Sequence, residues 1–111
     1  MKAIVKTSRA RGASYRDVEV PVINKDELLI RVTAASISPG DLAIFNSGGP
    51  GFATPTLPFV FGQEFCGEVV EIGSQAKGFD KGDFVSVESH IFCGVCGQCR
   101  NDQRHICQNL H

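Results

Sequence analysis

The sequence lacks the marks of several function classes. No apolar stretch approaches the roughly 20 residues that a bilayer-spanning helix needs, so no membrane partner is expected. Met1 to Lys6 has no long apolar core of the kind a secretory leader carries, and a cytoplasmic location is expected. Eleven Lys and Arg against 12 Asp and Glu leave a net charge of −1. That balance gives no basic footprint, so no nucleic-acid partner is expected either. No Gly-x-Gly-x-x-Gly follows a strand pattern, which leaves the chain without a visible dinucleotide-binding turn. The nearest glycine run, Gly48-Gly49-Pro50-Gly51, has no helical pattern after it and reads as loop. Internal repeats, low-complexity tracts and linkers are also missing.

What remains is 111 residues with 42% apolar and 21% charged side chains, enough for one ordinary globular domain with a modest core. Ala3–Lys6 and Tyr15–Val20 read as short strands around the Gly12 turn. Leu28 to Ala34 is the strongest strand signal, being rich in β-branched residues after Asn24-Lys25-Asp26. Ser38-Pro39-Gly40-Asp41 has a helix-start pattern: a capping hydroxyl, a proline for the first helical position, and a carboxylate three residues after the cap. A short helix over Leu42–Phe45 follows. Ser47 to Pro58, dense in glycine and proline, reads as a loop. Phe65–Ile72 and Phe84–Val87 are further strands, the second preceded by the Lys81-Gly82-Asp83 turn. Short strands, glycine turns and one short helix predict a mainly β, partly open barrel rather than a doubly wound sheet.

From about residue 90 the strand pattern gives way to cysteines. Cys93, Cys96, Cys99 and Cys107 have the spacing C-x2-C-x2-C-x7-C. In a chain expected in the cytoplasm such a set reads as metal or redox chemistry before it reads as disulfides. Two cysteines two residues apart chelate one ion from a tight turn, for which Gly94 and Gly97 supply backbone freedom. Four thiolates leave no open coordination position, so a zinc ion here would be structural and would fold a lobe over about 90–111. An iron–sulfur cluster is the chemical rival, and two disulfides or free thiols are the plain alternative. Cys66, within a strand, reads as a small buried apolar residue, and His90, His105 and His111 as surface groups around the lobe.

Two further runs carry a resemblance. Gly62-Gln63-Glu64-Phe65-Cys66-Gly67, followed by Gly73 and Ala76, resembles the GHE-x2-G-x5-G-x2 signature of the zinc-containing medium-chain alcohol dehydrogenases. Lys81-Gly82-Asp83-Phe84-Val85 resembles that family's GDRV turn and strand, and the cysteine lobe follows at the usual distance. The L-threonine and sorbitol dehydrogenase branch is the most similar. The resemblance covers nearly the whole chain and implies a GroES-like N-terminal domain over residues 1–111, with a Rossmann domain binding NAD(P) in a full-length relative. Against the family pattern the chain stops within the cysteine lobe, so a truncated form is expected, with apolar surface free for self-association.

The resemblance also implies where this chain departs. In zinc-dependent members a Cys near the first helix, the His of GHE and an acidic or further Cys ligand hold the catalytic ion. Ser38 stands at the Cys position, Gln63 at the His, and Gly40 and Ala43 where the helix usually has Thr or Ser and His. Only Asp41 and Glu64 match. A hydroxyl and an amide are poor zinc donors beside thiolate and imidazole, so no tight catalytic metal is expected at these degenerate catalytic positions. Each of the four also has a purely structural role open to it. Ser38 and Asp41 form a capping box, Gln63 bonds a loop, and Glu64 faces solvent or pairs with Arg31. The function expected is the substrate-side domain of an oxidoreductase, inactive alone. The alternatives are a zinc-stabilised interaction module and a metal-free quinone- or enoyl-reductase-like domain.

Overall fold

A computed structural model describes residues 1–47 and 56–110. Strands β1 (Lys2–Lys6), β2 (Ser14–Asp17) and β4 (Phe59–Val60) form one antiparallel sheet in the order β2-β1-β4. Strands β3 (Leu28–Ser36), β5 (Glu64–Ile72) and β6 (Phe84–Ser86) form a second, in the order β3-β5-β6. Helix α1 (Pro39–Ser47) follows β3. The cysteine lobe contains helix α2 (Gly97–Arg100) and a 3-10 turn at Arg104–Ile106. The expected mainly β architecture is present, with α1 longer than Leu42–Phe45 and α2 added. The loop expected over 47–58 lies mostly outside the described residues, as do Gly48-Gly49-Pro50-Gly51 and His111.

The strand lengths follow from pairing rather than from local propensity. Strand β2 stops at Asp17 because Asp17 already faces Lys2, the first residue of β1. Val18 still bonds Met1, its N–H donating to the Met1 carbonyl at 2.8 Å and its carbonyl accepting the Met1 ammonium at 2.6 Å, and the pairing stops there, short of the expected Val20. Strand β3 runs past Ala34 to Ser36 because β5 continues opposite it as far as Glu64. The β3–β5 ladder shifts register twice, between Leu29 and Ile30 and between Val32 and Ala34. Gly67 sits at this irregular stretch, where a Cβ would lie 2.2 Å from the Arg31 carbonyl oxygen. The close backbone approach admits only glycine. The first shift sets Arg31 against Glu68, at 2.5 Å, instead of Val69, and Glu64, a partner expected for Arg31, lies opposite Ser36.

The core is thin. Val5 and Val69 are the buried aliphatic side chains among the described residues. The accessible surface is 8197 Å², against roughly 6,000 Å² for a compact monomer of this mass. Val22 at 94%, Ile37 at 74% and Ile91 at 69% exposure show where apolar surface is left uncovered.

One buried charge joins the two halves of this frame. Lys6 ends β1 and is only 3% exposed. Its ammonium donates to the carbonyls of Ala10 at 2.6 Å, Gly12 at 3.0 Å and Phe45 at 2.9 Å. Phe45 lies in the last turn of α1, and its carbonyl also accepts the Gly12 N–H at 2.8 Å. A cation at the carbonyl end of a helix suits the helix dipole. Nothing local in the sequence marks this lysine, since its three acceptors are main-chain atoms brought together by folding.

Candidate metal centre and the Ser38 cluster

The cysteine lobe is built from backbone turns with little apolar support. Cys93 precedes Gly94, whose φ of +74° favours glycine. Cys96 caps α2 in an extended conformation, Cys99 lies within the helix, and Cys107 follows the 3-10 turn. Gly97 opens α2 with an ordinary backbone, so only Gly94 of the two glycines supplies the expected conformational freedom. Arg104 stacks its guanidinium over the Phe92 ring at 4.8 Å and closes the lobe from outside.

The four sulfur atoms converge. All lie within 4.8 Å of one another, with Cys93 and Cys107 at 3.5 Å and Cys96 and Cys107 at 3.9 Å. Zinc–thiolate bonds of about 2.3 Å at tetrahedral angles put sulfurs about 3.8 Å apart, close to the separations of the Cys93–Cys107 and Cys96–Cys107 pairs. A disulfide needs about 2.05 Å, so none of these pairs is bonded and all five cysteines are free thiols. A multi-iron cluster would hold its thiolates further apart than one ion does. The donor set and the spacing therefore fit a single tetrahedral ion.

The surroundings favour the thiolate at Cys93 and Cys96 and oppose it at Cys99. Backbone N–H groups of Val95 and Cys96 draw the Cys93 thiol down to about 6. Those of Cys99 and Gln108 lower Cys96 as well. Burial pushes Cys99 up to about 12, the direction expected for a thiol crowded against others without a cation. The Sγ of Cys107 accepts the N–H groups of Cys93 and Asn109, each at 3.3 Å. Among the described residues the histidines stay outside: His105 is exposed, and His90 is exposed and bonds Glu88. Cys66 is half-buried beside an open groove of about 440 Å³ that Ser36, Glu64 and Ser86 also line.

The second cluster lies at the N-terminus of α1. Ser38 and Asp41 are 3% and 5% exposed and form the expected capping box. The Asp41 Oδ2 accepts the Ser38 N–H at 2.9 Å, and the Ser38 Oγ accepts the Asp41 N–H at 3.1 Å. The Ser38 hydroxyl also donates to Asp41 Oδ2 at 2.9 Å. Gln63, just before β5, donates its Nε2–H to Ser38 Oγ at 2.7 Å, so its partner is the cap itself. Glu64 does not join the cluster. It is exposed, and its Oε2 accepts the Ser36 hydroxyl at 2.6 Å.

Gly40 was legible in sequence only as a departure from a family pattern. A Cβ there would come within 2.8 Å of Gln63 Nε2. No local signal links the two residues, because the contact exists only once α1 and the start of β5 are brought together.

Comparison with known proteins adds the lineage. Residues 24–111 match the family model described as alcohol dehydrogenase GroES-like domain. The chain is similar to an L-threonine 3-dehydrogenase of Pyrococcus abyssi, with 45% identity over 98% of this chain and 31% of that protein. Among solved structures, an NAD-dependent alcohol dehydrogenase superposes with a TM-score of 0.86 at 29% identity, over 100% of this chain and 32% of that one. A cobalt- and zinc-bound thermostable alcohol dehydrogenase from Pyrobaculum aerophilum gives 0.83 at 31%, over 98% of this chain and 32% of that one. The chain thus spans about a third of the length of the relatives it matches. No helix among the described residues is long and apolar enough to cross a membrane.

Proposed function

The chain belongs to the alcohol dehydrogenase GroES-like domain family, and from that premise we propose that it is the substrate-side part of a cytoplasmic NAD(P)-dependent dehydrogenase, held together by a structural zinc ion on Cys93, Cys96, Cys99 and Cys107. The observation that supports this reading is the convergence of four cysteine sulfurs within 4.8 Å of one another, with two pairs at 3.5 and 3.9 Å. A closed four-thiolate shell has no place for substrate, so the ion's contribution is a cross-link between the turn at Cys93, helix α2 and the segment after the 3-10 turn.

In a full-length relative, the face corresponding to Ser38, Asp41, Gln63 and Glu64 would lie toward the nicotinamide of a cofactor held by a separate domain. There the protein's part is to position a carbonyl or hydroxyl carbon for hydride transfer. The L-threonine 3-dehydrogenase relatives make a small amino-alcohol the first substrate to try. The 111 residues contain no Gly-x-Gly-x-x-Gly turn, and the chain alone is expected to be inactive. Incubation with NAD+ or NADP+ and L-threonine, followed at the reduced-nicotinamide absorbance, should give no signal. Turnover by the isolated chain would overturn the assignment of cofactor binding to another domain.

The uncovered apolar surface favours a second reading. Val22, Ile37 and Ile91 are suited to contact with another domain or copy, and the zinc-stapled unit would then serve as an interaction module. A monomeric elution profile at high concentration would count against it.

A further inference from the structure

We propose that a hydrogen-bonded plug closes the second metal position of this domain, with Gln63 and Gly40 acting as a pair, so that Ser38, Asp41, Gln63 and Glu64 bind no divalent ion. The proposal rests on reading these four residues as counterparts of catalytic positions. Its physical basis is the contrast with the cysteine lobe of the same chain.

Donor spacing is the first difference. Oxygen and nitrogen ligands at about 2.0–2.1 Å from a tetrahedral ion stand about 3.3 Å apart. Ser38 Oγ and Gln63 Nε2 are 2.7 Å apart, a direct hydrogen bond with no room for an ion between them. Two sulfur pairs of the lobe, by contrast, stand 3.5 and 3.9 Å apart, near the separation that one ion imposes.

The valence of the central hydroxyl is the second. A serine hydroxyl has one donor and two acceptor sites. Ser38 uses its donor on Asp41 Oδ2 and its acceptors on the Asp41 N–H and the Gln63 Nε2–H. No lone pair is left for a metal. The amide nitrogen facing it has none to offer, and Glu64 is turned away to Ser36.

Gly40 is the third. Its backbone lies outside the left-handed region, so no turn geometry requires a glycine there. Alanine at such a site would ordinarily raise the folding equilibrium constant about two- to fivefold. What opposes it is the carboxamide, since a Cβ would stand 2.8 Å from Gln63 Nε2 and 3.4 Å from Ser38 Oγ. The missing side chain at residue 40 is the gap through which the carboxamide reaches the cap. Lengthening residue 40 swings Gln63 out and costs its hydrogen bond, which offsets the helix gain.

A double-mutant cycle tests this pairing. Urea unfolding of the chain at fixed free zinc is compared for the native sequence, Gly40→Ala, Gln63→Ala and the double variant. The plug predicts that Gly40→Ala gives no gain while Gln63 is present and a two- to fivefold gain once Gln63→Ala has removed the carboxamide. The same gain in both backgrounds overturns it. Should a variant fail to fold, Co2+ titration of the native chain decides instead. Binding that stops at one ion, with the absorption of a tetrahedral thiolate site, supports the plug. A second ion bound with micromolar or tighter affinity overturns it. Failure to bind any Co2+ would contradict the four-thiolate reading, and the cycle would then decide the plug alone.

Discussion

Removing the metal should unfold the cysteine lobe while leaving the two sheets in place. From residue 93 to 110 the buried side chains are Cys99 and Cys107, at 6% and 8% exposure. The apolar residues of that stretch are outside: Val95 is 66% exposed and Ile106 50%. Helix α2 has four residues, far below the length at which a helix persists in water unaided. The lobe therefore has no hydrophobic or helical reserve, and its order depends on the ion. Structural zinc in small domains supplies about 10–16 kcal/mol, as much as the whole net stability of a typical domain, about 5–15 kcal/mol. Chelation should thus take the lobe from closed to open. Arg100 and Arg104 lie within it and report the change through trypsin. The zinc-loaded chain should resist cleavage at both sites, and a strong chelator should expose them before any loss of the strand signal in circular dichroism. Equal resistance with and without chelator would refute the argument, because it would mean the lobe folds on protein contacts alone.

Other outcomes follow from single contacts. Lys6→Met keeps most of the volume but takes the ammonium from the Ala10 and Gly12 carbonyls and leaves Phe45 only the Gly12 N–H, at a cost of about 2 kcal/mol. Thermal unfolding should show it as a drop of roughly 8–16 °C, and a change of a degree or less would mean the ammonium is not what holds α1 to β1. Gly67→Ala puts a Cβ against the Arg31 carbonyl, a backbone atom that cannot swing aside, and should cost at least about 2 kcal/mol. Breaking the exposed Arg31–Glu68 pair beside it should cost less than about 1 kcal/mol. If the two changes prove equal by urea unfolding, the close strand approach at Gly67 is not tight.

Legibility in the sequence followed the range of the interaction. The four cysteines could be read because donor type and spacing are local, and the turn at Gly94 serves them locally as well. The helix start at Ser38 could be read for the same reason, since the capping box closes within four residues. The partners of Glu64 and Arg31 could not be read, because the bulges in β3–β5 that shift the register leave no mark on either strand alone. The two-residue strand Phe59–Val60 was missed because it exists only through its pairing with Val5 and Lys6. The burial of Lys6 and the Gly40–Gln63 contact escaped similarly. In both, the decisive partner is an atom far away in sequence, a main-chain carbonyl in one and an empty volume in the other. The sequence showed that catalytic donors were replaced. That the replacements bond one another is visible only in the fold.

The central claim is one ion on four thiolates and none at the Ser38 cluster. Elemental analysis of the chain purified without chelator tests it directly. The account predicts one zinc per chain, lost together in Cys99→Ala and unaffected by Gln63→Ala. No zinc in the native protein would remove the staple from the account. Two per chain would mean that the Ser38 cluster still assembles a metal site, contrary to the saturated hydroxyl and the 2.7 Å contact that now fill it.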